Sequence, residues 1–142
     1  MPRILSIDYG KKRTGLAVTD PLQLIAGGLA TVSTSELIVY LKDYVLHEEV
    51  ERIVIGKPMQ PNGRPSENLA RVEQFVNRWR KEMPQVPIEY YDERYTSVLA
   101  HRAIIDSGKG RKARQDKALV DEVSAVILLQ NYMEAQRIRM NR

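Results

Sequence analysis

Three short apolar runs open the chain, joined by links too short to cross over a sheet, and this spacing limits the fold more than any other feature. Residues 3–9 (RILSIDY), 15–19 (GLAVT) and 24–33 (LIAGGLATVS) read as strands. The tight Gly10-to-Gly15 link implies an antiparallel hairpin. Gly27-Gly28 marks a bulge or a close approach in the third strand. Further along, the period changes. A helix is expected over about 36–48, capped by Ser33, Thr34 or Ser35, followed by a strand at 52–56 (RIVIG). A second helix is expected from about Pro65 to Met83, with Leu69, Val72, Phe75 or Val76, Trp79 and Met83 as its apolar stripe. Residues 86–91 form a fifth strand, Thr96 or Ser97 opens a short helix to about Asp106, and Asp116 can cap a last helix over about 117–138. Strands separated by helices must run parallel to a neighbour through right-handed crossovers. The expected fold is therefore α/β: a mixed five-stranded sheet, three antiparallel strands then two parallel, flanked by helices.

The 142 residues suit a single domain, 1–142, with no internal linker or repeat. The absence of cysteine excludes disulfides, zinc–thiolate sites and iron–sulfur clusters. His47 and His101 cannot supply a three-histidine zinc site. No run approaches the ~18 apolar residues of a membrane span. The opening residues reach Asp8 too soon for a signal peptide. A cytoplasmic protein with no membrane contact is expected.

Charge is concentrated. The formal net charge is +4, and the stretch Lys109–Lys117 carries that whole excess: Lys109, Arg111, Lys112, Arg114 and Lys117 against Asp116. With nothing aliphatic larger than Ala113, such a run is expected to be a solvated loop. It is either a solubilising loop or one that contacts phosphates, where each cation releases condensed counterions from a polyanion.

Three acids stand out. Asp8 ends an apolar strand, where a carboxylate is costly to bury unless paired or metal-bound. Glu93, in Asp92-Glu93-Arg94, follows the fifth strand directly. Asp121 lies in the last helix with small Ser124 and Ala125 three and four residues on, so the helix can approach the sheet there. Glu122 is expected to point away into solvent. Singly, each acid has a plain alternative: a turn cap, a surface pair with Arg94, or an acid favoured by the helix dipole. Together, without cysteine or a histidine set, they favour a hard cation with oxygen ligands, Mg²⁺ or Mn²⁺. Two such ions can clamp the attacking and leaving oxygens of a phosphodiester. Acids and basic loop thus fit one chemistry, metal-dependent phosphodiester hydrolysis. Tyr9, Tyr90, Tyr91 and Tyr95 are expected near this site, where Tyr9 or Tyr95 could stack on a base, a core or rim role being the plainer expectation.

Four segments resemble the YqgF (RuvX-like) family. Asp8-Tyr-Gly-Lys-Lys-Arg-Thr-Gly-Leu-Ala17 is similar to its DxGxxRxGxA opening, and Gly56-Lys-Pro58 with Asn62-Gly63 to its GxP…G loop. Asp92-Glu-Arg-Tyr-Thr-Ser97 resembles its (D)ER-x-T-(T/S) segment, and Val120 to Gln130 its closing helix. Ser124 stands where the family often has Ala, and Met59 lies in a variable loop. The resemblance spans essentially the whole chain. It implies an RNase H-like fold and a divalent-metal nuclease that matures the 5′ end of pre-16S ribosomal RNA or, alternatively, resolves four-way DNA junctions as a dimer. It places the acidic triad on Asp8, Glu93 and Asp121, as both metal ligands and catalytic groups. Lys12, Arg13, Arg94 and the basic-loop residues would contact nucleic acid. Structured RNA is the favoured partner and branched DNA the alternative, with a ribosomal partner and a monomer or homodimer both compatible. Two rivals remain: a nuclease-like module that grips RNA without cutting, and an ATP-binding domain of the actin and sugar-kinase class. The second normally needs two such domains.

Overall fold

The computed structural model describes residues 2–58, 66–92 and 117–140, with the side chains of 117, 118 and 140 excepted. The strands are β1 (Arg3–Asp8), β2 (Arg13–Thr19), β3 (Ala26–Ser33), β4 (Val50–Lys57) and β5 (Ile88–Asp92). The helices are α1 (Leu37–His47), α2 (Leu69–Glu82) and α3 (Lys117–Met140), with a 3-10 turn at Thr34–Glu36. The five strands form one sheet in the order β3-β2-β1-β4-β5. β1, β2 and β3 pair antiparallel, whereas β4 runs parallel to β1 and β5 parallel to β4. This is the mixed α/β sheet expected from the sequence.

β1 explains why both sheet faces are covered. Ile4, Leu5, Ser6 and Ile7 are all buried, which an apolar run permits only when helices lie on both sides. Leu5 and Ile7 pack with Leu37, Leu41, Val72, Val76 and Trp79 from α1 and α2. Ile4 belongs to the opposite layer, with Ala17 and Val54 of the sheet and Ala125, Leu129, Tyr132 and Met133 of α3. The expected stripe on α2 is present: Val72, Phe75, Val76 and Trp79 are buried, and the Trp79 indole donates to the Val86 carbonyl at 2.9 Å. α3 is pinned at its far end by Tyr132, whose hydroxyl donates to Glu89 of β5 and accepts from Arg52 of β4 at 2.9 Å. Burial, then the Glu89 bond, raises the Tyr132 pKa above 10.0.

Three boundaries depart from the sequence reading. Ser33, Thr34 and Ser35 do not cap α1. The Ser33 and Ser35 hydroxyls bond each other at 3.1 Å, and the Thr34 hydroxyl donates to the Gly10 carbonyl. α2 begins at Leu69, after a turn closed by Leu69 N–H on the Ser66 carbonyl. β5 begins at Ile88 because Pro87 has no N–H for the ladder, although its carbonyl accepts from Ile53 N–H at 2.8 Å. The β2–β3 register slips between Leu16 and Ala17, whose partners are Ala30 and Gly28, so the strand bulges beside the paired glycines. The expected helix from Thr96 or Ser97 to Asp106 lies outside the described residues. Among the described residues no helix is long and apolar enough to cross a membrane.

Candidate functional site

Asp8 is the last residue of β1. Side chains alternate along a strand, so Ile4, Ser6 and Asp8 share the face that carries α3. Ser6 confirms the assignment by donating its hydroxyl to the Ala125 carbonyl of α3 at 2.7 Å. Across the β1–β2 ladder Asp8 pairs with Gly15, and directly opposed residues point to the same face. Gly15 in turn lies against the first part of α3. A Cβ there would overlap the Asp121 carbonyl oxygen, so only glycine permits this approach. Gly15 therefore sets the backbone of α3 at Asp121 against the strand partner of Asp8, across 112 intervening residues between the two acids.

Arg13 completes this local group. It lies two residues before Gly15, hence on the same face, and its Nε donates to Asp121 Oδ2 at 3.1 Å. The pair is partly exposed, with side-chain exposures of 41% and 26%, so its effect on stability is small and its effect on orientation is the larger one. The stripe expected beyond Asp121 is present as well: Ser124, Ala125, Leu128 and Tyr132 are buried. Glu122 corrects an expectation. It is half-buried, its carboxylate lies over Gly28 of β3, and a Cβ on that glycine would overlap it. The bulged, glycine-paired segment of β3 is what admits it.

β1, β4 and β5 are parallel, so their C-terminal ends share one edge of the sheet. Asp8 ends β1, and Asp92 ends β5 opposite Lys57. Glu93 is the next residue in the sequence. Glu93, Arg94, Lys109, Arg111, Lys112 and Arg114 lie outside the described residues. Lys117 opens α3, and its side chain lies outside them too. Lys12 is exposed in the β1–β2 turn.

The described tyrosines take the plainer of their expected roles, packing at the core and its rim. Tyr9 packs its ring against Phe75 at 5.6 Å, and burial raises its pKa, with nearby Arg71 opposing. Tyr90 lies under the Arg80 guanidinium at 5.8 Å, while Tyr91 stands edge-on to Tyr132 at 5.9 Å. At 1.5 Å rise per residue, Tyr132 is about 16 Å along α3 from Asp121. Consecutive strand residues face opposite sides, which separates Tyr90 from Tyr91. Tyr95 lies outside the described residues.

Asp8 and Asp121 offer carboxylate oxygens only, the donor type that suits Mg²⁺ or Mn²⁺ rather than a softer metal. Among the described residues no three metal-ligating side chains form a group, and the third expected acid, Glu93, is not one of them. The pair therefore fits a hard divalent ion as part of a larger ligand set. Two residues near this site escape the sequence reading. Thr34 is expected there only as a helix cap, and Asn68 carries no signal beyond its place before an apolar stripe.

A family model, RuvX, described as Holliday junction resolvase, matches residues 2–135. The chain belongs to the RuvX family. A relative from Phocaeicola vulgatus, named "Putative pre-16S rRNA nuclease", is 56% identical over 137 residues, covering 96% of this chain and 99% of its own. The Fowlpox virus resolvase in complex with Holliday junction DNA has a similar fold, with a TM-score of 0.56 at 13% identity, covering 94% of this chain and 98% of that one. RuvC from T. thermophilus, solved with a Holliday junction substrate, gives a TM-score of 0.56 at 16% identity and covers 96% of both chains. The RuvX fold of this chain is thus the RNase H-like fold of those resolvases.

Proposed function

We propose that this chain is a divalent-metal-dependent nuclease that hydrolyses phosphodiester bonds in the 5′ maturation of pre-16S ribosomal RNA. The observation that supports the reading is the junction at Gly15, the strand partner of Asp8, where the backbone of Asp121 meets the sheet and the Asp121 carboxylate is held by Arg13. The name borne by the Phocaeicola vulgatus relative, at 56% identity over nearly the full length of both chains, supports the choice of substrate.

Asp8, Glu93 and Asp121 are the proposed ligands and would together hold the Mg²⁺ or Mn²⁺ on which the reaction depends. When bound, such ions lower the pKa of an attacking water and neutralise charge developing on the phosphate. Asp8 and Asp121 supply the negative charge that concentrates divalent cations at this edge of the sheet. Arg13 fixes the Asp121 carboxylate and presents a guanidinium beside the acids, where it can also meet a phosphate oxygen. Lys12, Arg94, Lys109, Arg111, Lys112, Arg114 and Lys117 are the proposed cations along the polyanion. The whole segment 1–142 is proposed to act as one nuclease domain, in the cytoplasm, on structured RNA.

The fold shared with Holliday junction resolvases favours a second reading, cleavage of four-way DNA. Cutting two strands symmetrically calls for a two-fold dimer. A side-by-side assay separates the two. Purified protein with Mg²⁺ or Mn²⁺ is given a 5′-extended small-subunit ribosomal RNA and a four-way DNA junction. Cleavage of the RNA near its mature 5′ end is expected; paired symmetric nicks in the junction with intact RNA would favour the resolvase. Binding of both without cleavage would favour a non-catalytic module.

A further inference from the structure

The turn that follows Asp8 is suspended from two remote side chains. Asn68 Nδ2, just ahead of α2, donates to the Tyr9 carbonyl at 2.7 Å. Thr34 Oγ1, in the 3-10 turn, donates to the Gly10 carbonyl at 2.7 Å, and Thr34 N–H donates to the Lys12 carbonyl at 2.9 Å. The Thr14 and Thr34 hydroxyls lie 2.9 Å apart. A carbonyl can only accept, so the Thr34 proton goes to Gly10 and Thr14 must donate to Thr34. Thr14, Thr34 and the Gly10 carbonyl thus form a directed chain, anchored at its start by a fully buried residue. At Gly10 a Cβ would overlap the Arg13 carbonyl, so the turn is also closely wound. Asp8 stands at one end of this turn and Arg13 at the other.

Stability alone is a weak reason for Asn68. Its amide orientation is set by the Tyr9 carbonyl, because the flipped amide would place oxygen against oxygen. Its Oδ1 is then buried with no hydrogen-bond partner among the described residues. A buried acceptor without a partner offsets much of what the donated bond contributes. What the bond does supply is a fixed position for the Tyr9–Gly10 peptide, the second peptide beyond Asp8.

We infer that Asn68 and Thr34 are positioning residues for the carboxylate pair: they hold the Tyr9–Arg13 turn so that Asp8 and the Arg13-bound Asp121 keep a set separation. The inference rests on the reading of Asp8 and Asp121 as metal ligands. Neither residue touches the reacting atoms. Each acts through the backbone of the turn.

The test uses Asn68→Leu, Thr34→Val, Thr34→Ser and Asp8→Asn beside wild type, with Mn²⁺ binding followed by the loss of the free-ion electron paramagnetic resonance signal. Asn68→Leu and Thr34→Val are each expected to raise the half-saturating Mn²⁺ concentration by about 10-fold or more, the usual cost of removing a group that orients a metal ligand. The KM for RNA stays unchanged. Thr34→Ser keeps the hydroxyl and restores the wild-type midpoint, while Asp8→Asn abolishes the binding. An unshifted midpoint in Thr34→Val or Asn68→Leu beside a lowered Tm would overturn the inference, as would wild-type Mn²⁺ binding by Asp8→Asn. Should Asn68→Leu fail to fold, the Thr34 pair decides alone. A shifted midpoint in a protein whose wild type cuts no RNA would uphold the positioning and contradict the nuclease reading.

Discussion

Gly15 has no side chain, and that allows Asp121 to reach the strand pair that ends in Asp8. Gly15→Ala should force α3 away from the sheet and lower stability by about 1–3 kcal/mol, the usual cost of overpacking a tightly fitted position; urea denaturation measures the loss. Arg13→Ala should behave in the opposite way. The Arg13–Asp121 pair is partly exposed, so its removal should change stability by less than about 1 kcal/mol. RNA cleavage should still fall, because Asp121 loses the group that orients it. Finding the stability loss in Arg13→Ala and none in Gly15→Ala would reverse the roles given to these residues. Tyrosines supply the pH dependence. Burial raises the pKa of Tyr9, Tyr40, Tyr44, Tyr90 and Tyr132 above 10.0. Above pH 10, the unfolded chain releases phenolic protons that the folded chain still holds. Raising the pH through that window therefore lowers stability, and stability is full below it. A thermal melt at rising pH, read beside phenolate absorbance, should show Tm falling before the native tyrosines have ionised.

Between residue and fold, the elements differ in how openly the sequence states them. The apolar stripe of α2 is legible because Val72, Val76 and Trp79 recur at helical spacing and bury fully. Trp79→Ala should cost about 3–5 kcal/mol, since it removes a fully buried indole and leaves the Val86 carbonyl without its donor. A loss below about 1 kcal/mol would mean the α2 layer is not the core it is taken to be. β1 is legible for a related reason: an apolar run broken by one acid at its end is a strand that changes chemistry there. The ends of elements are less legible. Thr34 suits a helix cap by type, yet its hydroxyl serves Gly10 from across the fold, and no local pattern encodes a bond between residues 24 apart. The same holds for Asn68, which meets Tyr9 from 59 residues away. Glu122 suits a solvated helix position until β3 bulges and places Gly28 beneath it. Tyr90 and Tyr91 are neighbours in sequence that the strand sends to opposite faces.

At the scale of the whole molecule, the net charge lies in one stretch of sequence, and Asp8 and Asp92 end parallel strands at one edge of the sheet. Replacing Lys109, Arg111, Lys112 and Arg114 by alanine should weaken RNA binding across sequences alike. The slope of log affinity against log salt should fall by about 0.7–0.9 for each phosphate that these cations no longer neutralise. An unchanged slope would mean that this stretch does not meet the polyanion. The central claim concerns the acids, and one measurement reaches it most directly. Wild type, Asp8→Asn, Glu93→Gln and Asp121→Asn are incubated with 5′-extended small-subunit ribosomal RNA, with Mg²⁺, with Mn²⁺ and with chelator, and the cleaved fraction is followed alongside Tm. Because a bound divalent ion supplies several kcal/mol of transition-state stabilisation, each variant should lose about 1000-fold or more in rate while keeping its fold. Chelator should silence wild type. A folded Asp8→Asn that cuts as wild type does, or wild-type cleavage that persists in chelator, would contradict the account.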